Sequence, residues 1–225
     1  MGRWNLGAAV AGGLGLAVAQ WVVWIYAPME AVMGVVQKIF YLHVPLAWWA
    51  FVCFFGVFVA SIGVLWKKSD RCHVLAGVLA EVGVLLAGLA LVTGALWGRA
   101  AWNTWWTWDP RLTTTLVLWF VYAGYLALHA SDLGGRGPMI CAVLGIVAFV
   151  DVPLVFVSAR LWRSIHPVVL GPGGGMEPEM WAALVVHGLA FGLLVAALVM
   201  ARFRLAMVTA HVSRIALARL ARREA

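Results

Sequence analysis

The chain has 225 residues, 64% of them apolar and only 11% charged, with a mean hydropathy of +0.96. Soluble domains sit near half apolar and a quarter charged, so this composition describes an integral membrane protein. The net charge of +7 does not point to nucleic acid, because six arginines follow Ala201, at a membrane edge where they face anionic lipid or a partner. Cys53, Cys72 and Cys141 form no C-x-x-C pair, which argues against a cysteine zinc site or a dithiol redox centre. C-x-x-C-H is absent too, which excludes a c-type cytochrome.

Six apolar segments follow in chain order, at 6–27, 46–66, 74–97, 112–130, 139–159 and 181–201. Each is about the length that a ~30 Å hydrocarbon core demands. Backbone groups must be satisfied inside lipid, so the expected fold is all-α, a polytopic bundle of six transmembrane helices forming one domain over 1–225. The first run follows Arg3, is long enough to span and ends in no clear small-residue cleavage site, so it reads as a membrane anchor rather than a signal peptide. The connectors KKSDR (67–71) and SDLGGRGP (131–138) are short turns. Those around 28–45, 98–111 and 160–180 are longer, and GPGGG at 171–175 is expected to be flexible. After the sixth segment, Arg204, Ala206, Val208, His211, Arg214 and Ile215 fall at amphipathic helical spacing, and a juxtamembrane charge anchor is the simplest account.

Counting cations orients the bundle. With both termini on one side, that side carries Arg3, Lys67, Lys68, Arg71, Arg136 and the six tail arginines; the other carries Lys38, Arg99, Arg111, Arg160 and Arg163. The positive-inside rule then places the termini in the cytoplasm and the three long connectors outside.

The second long connector holds WGRAAWNTWWTWDPRLT, residues 97–113. Trp21, Trp24 and Tyr26 fit an aromatic belt at the membrane interface. Trp97, Trp102, Trp105, Trp106 and Trp108 are more indole than anchoring one loop requires. If the segment is partly helical, Trp102, Trp105 and Trp106 share a face, with Trp108 and Asp109 close by. Such a face is a flat apolar platform for a large planar ligand. Asp109 before Pro110 is also an ordinary helix start, with Asp at the N-cap and Pro at N1. Arg99 and Arg111 flank the platform, placed to pair with ligand carboxylates, to neutralise Asp109 or to reach the interface.

Of six histidines, His73, His129 and His211 map to the cytoplasmic side as ordinary interfacial residues. His43, in FYLHVPLAWW, enters the second helix from outside, and His187, in MWAALVVHGLAFG, lies about two turns below the outer end of the sixth. Pro45 frees backbone near His43, while Gly188 and Gly192 leave room for a bulky group beside the sixth helix. Two imidazoles at similar depth beneath an aromatic pocket are the arrangement that holds haem iron axially, so His43 and His187 are the expected pair. Zinc suits them less, since no cysteine or carboxylate joins them. His166, in SIHPVV of the third long connector, is the spare candidate. Glu81 and Asp151 are acids within predicted helices, and Asp151, two residues before Pro153, is a candidate cap of a broken helix.

At this point the chain resembles a known family. WNTWWTWDPRLT resembles the tryptophan-rich WWD signature of haem-handling membrane proteins in cytochrome c assembly. Six helices, FYLHVPLAWW, DVPLVFVSARLWRSIHP and a histidine in the last helix resemble its CcmC branch, haem exporter protein C, over essentially the whole chain. Family members often carry Gly where this chain has Asn103, and Ala where it has Pro110. The resemblance implies a protein of the bacterial inner membrane that is not an enzyme. It implies haem b as the transported ligand, held at the periplasmic face and passed to the haem chaperone CcmE. It also implies association with the ABC-type subunits CcmA and CcmB and the small protein CcmD. Carried over by position, the axial ligands would be His43 and His187, and the platform Trp102, Trp105, Trp106, Trp108 and Asp109, with Trp97 beside it.

Two rivals stand against this. A b-type membrane cytochrome would bury its haem across the bundle, often with a second haem near the other leaflet. A permease subunit moving haem across the bilayer would show midplane sites or broken helices in repeated halves.

Overall fold

The computed structural model describes residues 3–131, 133–162, 166 and 176–224. Seven helices account for the bundle: α1 (Arg3–Trp21, continued by a π turn to Tyr26), α2 (Phe40–Lys67), α3 (Asp70–Trp102), α4 (Pro110–Ala130), α5 (Gly137–Ala148), α6 (Asp151–Leu161) and α7 (Pro178–Glu224). A 3-10 turn, Val35–Ile39, leads into α2. Six spans are long and apolar enough to cross a membrane, with α5 and α6 sharing the fifth, Gly134–Ser158. The chain is therefore a multi-pass membrane protein. Among the described residues there is no strand, only a single bridge between Glu30 and Gly34.

The fifth span is interrupted between Ala148 and Asp151. Pro153 causes this, because it donates no N–H and its ring collides with the carbonyl four residues back, at Phe149. Asp151 stands at the break as expected, but Val150 occupies the N-cap position and no side chain caps α6. The Asp151 Oδ2 atom has no hydrogen-bond partner.

Burying surface drives little association between helices in lipid, so contact comes from close packing and interhelical hydrogen bonds. Small residues supply the closeness. A β-carbon at Gly83 would come within 2.6 Å of Phe54, which itself stacks on Tyr122 at 3.8 Å between ring centroids. A β-carbon at Gly12 would meet Leu194 at 2.7 Å, so α1 packs on α7 at that glycine. Two indoles supply the bonds: Trp119 Nε1 donates to the Val84 carbonyl at 3.1 Å, and Trp49 Nε1 to the Gly188 carbonyl at 2.8 Å. Glu81, on α3, pairs with Arg202, on α7, at 2.7 Å on the exposed side of the two helices, so that acid has a cationic partner.

Alternation of the six spans brings the start of α2, the end of α3, the start of α4 and the connector before α7 to one end of the bundle. The α2–α3 turn, the α4–α5 turn and the two chain ends lie at the other. The 171–175 stretch expected to be flexible lies outside the described residues. So does the Arg214 side chain, on which the amphipathic reading of the tail partly rests.

Candidate functional site

The site begins where α3 ends. Asn103 takes a left-handed conformation (φ 58°, ψ 24°) that closes the helix directly after Trp102. Asn is among the few side chains other than Gly that tolerate this geometry. Arg99 holds the turn: its Nη1 donates to the Asn103 carbonyl at 2.9 Å and also contacts the Asn103 side chain. The same guanidinium lies over the Trp105 ring at 5.9 Å, a cation–π contact. Arg99 is thus engaged in shaping the loop.

Residues 103–109 are not helical, so the shared helical face expected for Trp102, Trp105 and Trp106 does not form. The left-handed Asn103 ends the period that such a face needs. The indoles converge by another route. Trp97 is buried on α3, at 3% exposure, and Trp102 stacks beside it at 6.1 Å. Trp105 and Trp106 come back over them in the loop, where Thr104 Oγ1 donates to the Trp106 carbonyl at 3.1 Å and tightens the turn.

These residues wall a narrow, partly open cavity at this end of the bundle. Trp97, Trp102, Trp105, Trp106, His43 and His166 line it, with Gly94 and Gly98 of α3, Thr104, Thr107 and Leu112 among the remaining walls. The two glycines make the α3 wall flat. A β-carbon at Gly94 would sit 3.0 Å from His43 Cε1, and one at Gly98 would sit 3.1 Å from the Thr104 carbonyl oxygen. Two buried polar atoms of wall residues, Trp97 Nε1 and Thr107 Oγ1, have no hydrogen-bond partner in the protein. Orphans of this kind suit a ligand that brings polar groups into an otherwise apolar cleft.

His43 lies inside α2, one turn after its start, and its Nδ1 meets Thr93 Oγ1 on α3 at 3.0 Å. His166, in the connector before α7, faces His43 with 6.4 Å between ring centroids and 39° between planes. Its Nδ1 lies 3.2 Å from Arg111 Nη1.

His187 stands elsewhere. It is 1% exposed and is not among the cavity's lining residues. Gln20 Nε2 approaches its Nε2 at 3.1 Å, and Trp24 Nε1 donates to Gln20 Oε1 at 3.2 Å, so His187 joins α7 to the C-terminal end of α1. The room left by Gly188 and Gly192 is filled from within the protein, because the Trp49 indole contacts Gly192 and donates to the Gly188 carbonyl. The sequence pair His43 and His187 is therefore not brought together on the cavity; His43 and His166 are. Thr93, Gly94 and Gly98 are wall or support residues that the sequence reading passed over. A small or hydroxyl residue in an apolar helix carries no signal until its neighbour across the interface is known.

Asp109 is 7% exposed, and its Oδ1 accepts from the Arg111 N–H at 2.9 Å, capping α4 with Pro110 in the first turn. Neither Asp109 nor Trp108 lines the cavity; Trp108 is 77% exposed and meets Trp106 edge-on at 6.0 Å. At the opposite end of the bundle, His73 and His129 stack with 4.2 Å between centroids. Two imidazoles that face one metal ion through bonds of about 2 Å stand roughly 6 Å apart, so this stacked pair cannot sandwich one.

Comparison with known proteins places the chain. The family model described as "CcmC: Heme exporter protein C" matches residues 2–218. Among relatives, the Heme exporter protein C of Escherichia coli (strain K12) is 36% identical over 202 residues, covering 84% of this chain and 81% of that protein. The protein of the same name from Bradyrhizobium diazoefficiens is 35% identical over 182 residues, 79% of this chain and 69% of the relative. That from Rhodobacter capsulatus is 33% identical over 184 residues, 80% and 76%. A match along nearly the whole length, carried by sequences alike at about one position in three, leads to one conclusion: the chain belongs to the CcmC, or haem exporter protein C, family.

Proposed function

We propose that the chain takes haem as cargo in the tryptophan-walled cavity, with His43 and His166 as the two iron ligands, and presents it for transfer. The observation that carries this is the 6.4 Å between the two ring centroids. With metal–nitrogen bonds of about 2 Å, imidazoles on opposite sides of one iron stand roughly that far apart. The indole walls supply apolar faces for a porphyrin, and Arg111 and the unpartnered Trp97 N–H supply donors for its carboxylates.

In this reading the protein is a haem-handling component of cytochrome c maturation in the bacterial inner membrane. It has cytoplasmic termini and a periplasmic tryptophan loop, and haem b is its cargo rather than a resident cofactor. The cargo passes to the chaperone CcmE, with CcmA, CcmB and CcmD as the partner subunits. The cavity's place at one end of the bundle, with the exposed Trp105 in its wall, suits a ligand that is handed on. The b-type cytochrome reading is the weaker one, because the stacked His73 and His129 offer no second haem site. Absorption spectra of the purified protein, with and without added haem, test the proposal directly. Wild type should take up haem with a six-coordinate spectrum, and His43→Ala and His166→Ala should each lose it or change it. An unchanged spectrum in both variants would overturn the assignment.

A further inference from the structure

The two cavity histidines are held by hydrogen-bond partners of opposite character. On the His43 side, Thr93 Oγ1 lies 2.9 Å from the Leu89 carbonyl oxygen and 3.1 Å from that of Ala90. Carbonyl oxygens only accept, so the single hydroxyl proton of Thr93 is directed to them. What Thr93 offers His43 Nδ1, 3.0 Å away, is a lone pair. Nδ1 must therefore be the donor, which leaves the ring lone pair on Nε2. Thr93 is 8% exposed, so the contact lies within the helix interface. The β-branch and the two carbonyls fix its rotamer. Gly94, the next residue, leaves just enough space for the ring, with an imagined β-carbon only 3.0 Å from His43 Cε1. One residue sets the proton and its neighbour sets the position.

We propose that Thr93 is a positioning residue that fixes His43 in the Nδ1–H tautomer, so that Nε2 is ready to bind a metal before any ligand arrives. The inference rests on the reading of His43 as an iron ligand. A ligating imidazole needs its other ring nitrogen to donate, and that donation orients the ring and raises its basicity. His166 is not prepared in this way, because Arg111 can only donate to its Nδ1.

The test compares Thr93→Val, which keeps shape and removes the acceptor, with Thr93→Ser, which keeps the hydroxyl. In haem-free protein labelled with 15N-histidine, the His43 ring, assigned by its loss in His43→Gln, should show protonated Nδ1 and bare Nε2. Thr93→Val should give mixed tautomers and Thr93→Ser the wild-type pattern. In haem-loaded protein, Thr93→Val should release haem 10- to 100-fold more readily and raise its reduction potential, as a less basic ligand favours the ferrous ion. Thr93→Ser should stay close to wild type in both. A wild-type His43 protonated on Nε2 overturns the proposal. So does a Thr93→Val protein that matches wild type in tautomer and potential. If His43→Ala keeps an unchanged haem spectrum, the ligand reading fails instead, while the haem-free tautomer measurement still decides the Thr93 contact.

Discussion

Arg111 Nη1 stands 3.2 Å from Nδ1 of His166, tying the first turn of α4 to the connector that precedes α7. A guanidinium has donors only, so in this state His166 accepts at Nδ1 and holds its proton on Nε2. If iron takes His166 at Nε2, as proposed, it requires that nitrogen's lone pair, so loading would break the contact and release Arg111. A released guanidinium at the rim of a cavity is well placed for a porphyrin carboxylate, a charge-assisted pairing worth about 1.5–3 kcal/mol.

The first prediction follows from that exchange. Arg111→Gln keeps a neutral donor and loses the charge and the fork, so haem should dissociate about tenfold faster or more, with the six-coordinate spectrum unchanged in shape. Stopped-flow transfer of haem to excess apomyoglobin measures this. Slower dissociation in the variant would mean that Arg111 only holds His166 back.

A second prediction separates the two histidines that competed for the distal role. His166→Ala should deplete haem or convert its spectrum to a five-coordinate form, as His43→Ala should. His187→Ala should leave the spectrum alone and lower stability instead, since it cuts the link from α7 through Gln20 to Trp24. Spectra and thermal unfolding of the three variants, side by side, decide it. Loss of haem in His187→Ala at unchanged stability would restore His187 as the ligand.

The contrast between those residues marks how far the sequence reaches. Six spans were legible because lipid imposes about 20 apolar residues on each, and the cap at Asp109 was legible because Asp-Pro acts within its own turn. The charge asymmetry is likewise a count. His187 reads as a ligand in sequence because its depth and its small neighbours look like a ligand site. Yet Trp49 fills the space beside Gly188 and Gly192, and Gln20 engages the ring. Both fillers come from distant segments, at separations of 139 and 167 residues. The expected helical face failed at Asn103 for a local reason, a left-handed residue whose φ the sequence permits but does not compel.

Gly98 gives a third prediction. A β-carbon there would press on the Thr104 carbonyl at 3.1 Å, and backbone cannot rotate aside as a side chain does. Gly98→Ala should push the 103–109 loop off α3, at a cost of about 1–3 kcal/mol, and open the cavity between Trp97 and Trp106. Expected outcomes are weakened haem binding and faster quenching of loop tryptophan fluorescence by acrylamide. Wild-type behaviour in both would show that the loop does not depend on this contact.

Sidedness is the fourth. Eleven of the sixteen Lys and Arg fall on the side of the termini, so a reporter fused after Ala225 should be cytoplasmic and one inserted after residue 174 periplasmic. Both reporters on the same side would sink the orientation, and with it the access of a periplasmic chaperone to the tryptophan loop.

The last prediction concerns why so much indole gathers here, since the five tryptophans do not share one task. Trp97 is buried among Phe40, His43 and Trp102, so Trp97→Ala should cost about 3–5 kcal/mol of stability and take the site with it. Trp105 is 58% exposed and Trp106 partly so, yet both line the cavity. Residues placed half in the wall and half outside can touch a bound porphyrin and an arriving partner together. Losing one stacking contact weakens retention by about 1 kcal/mol, a few-fold effect that two iron bonds would mask. The Trp105→Ala, Trp106→Ala double variant should therefore fold normally and keep much of its haem, but load less covalent haem onto co-expressed chaperone. Trp108→Ala, outside the cavity, should load it at the wild-type level. The measurement is chaperone-bound haem relative to haem on this protein in the same membranes. If the double variant matches wild type in that ratio, the exposed tryptophans serve only as a membrane belt.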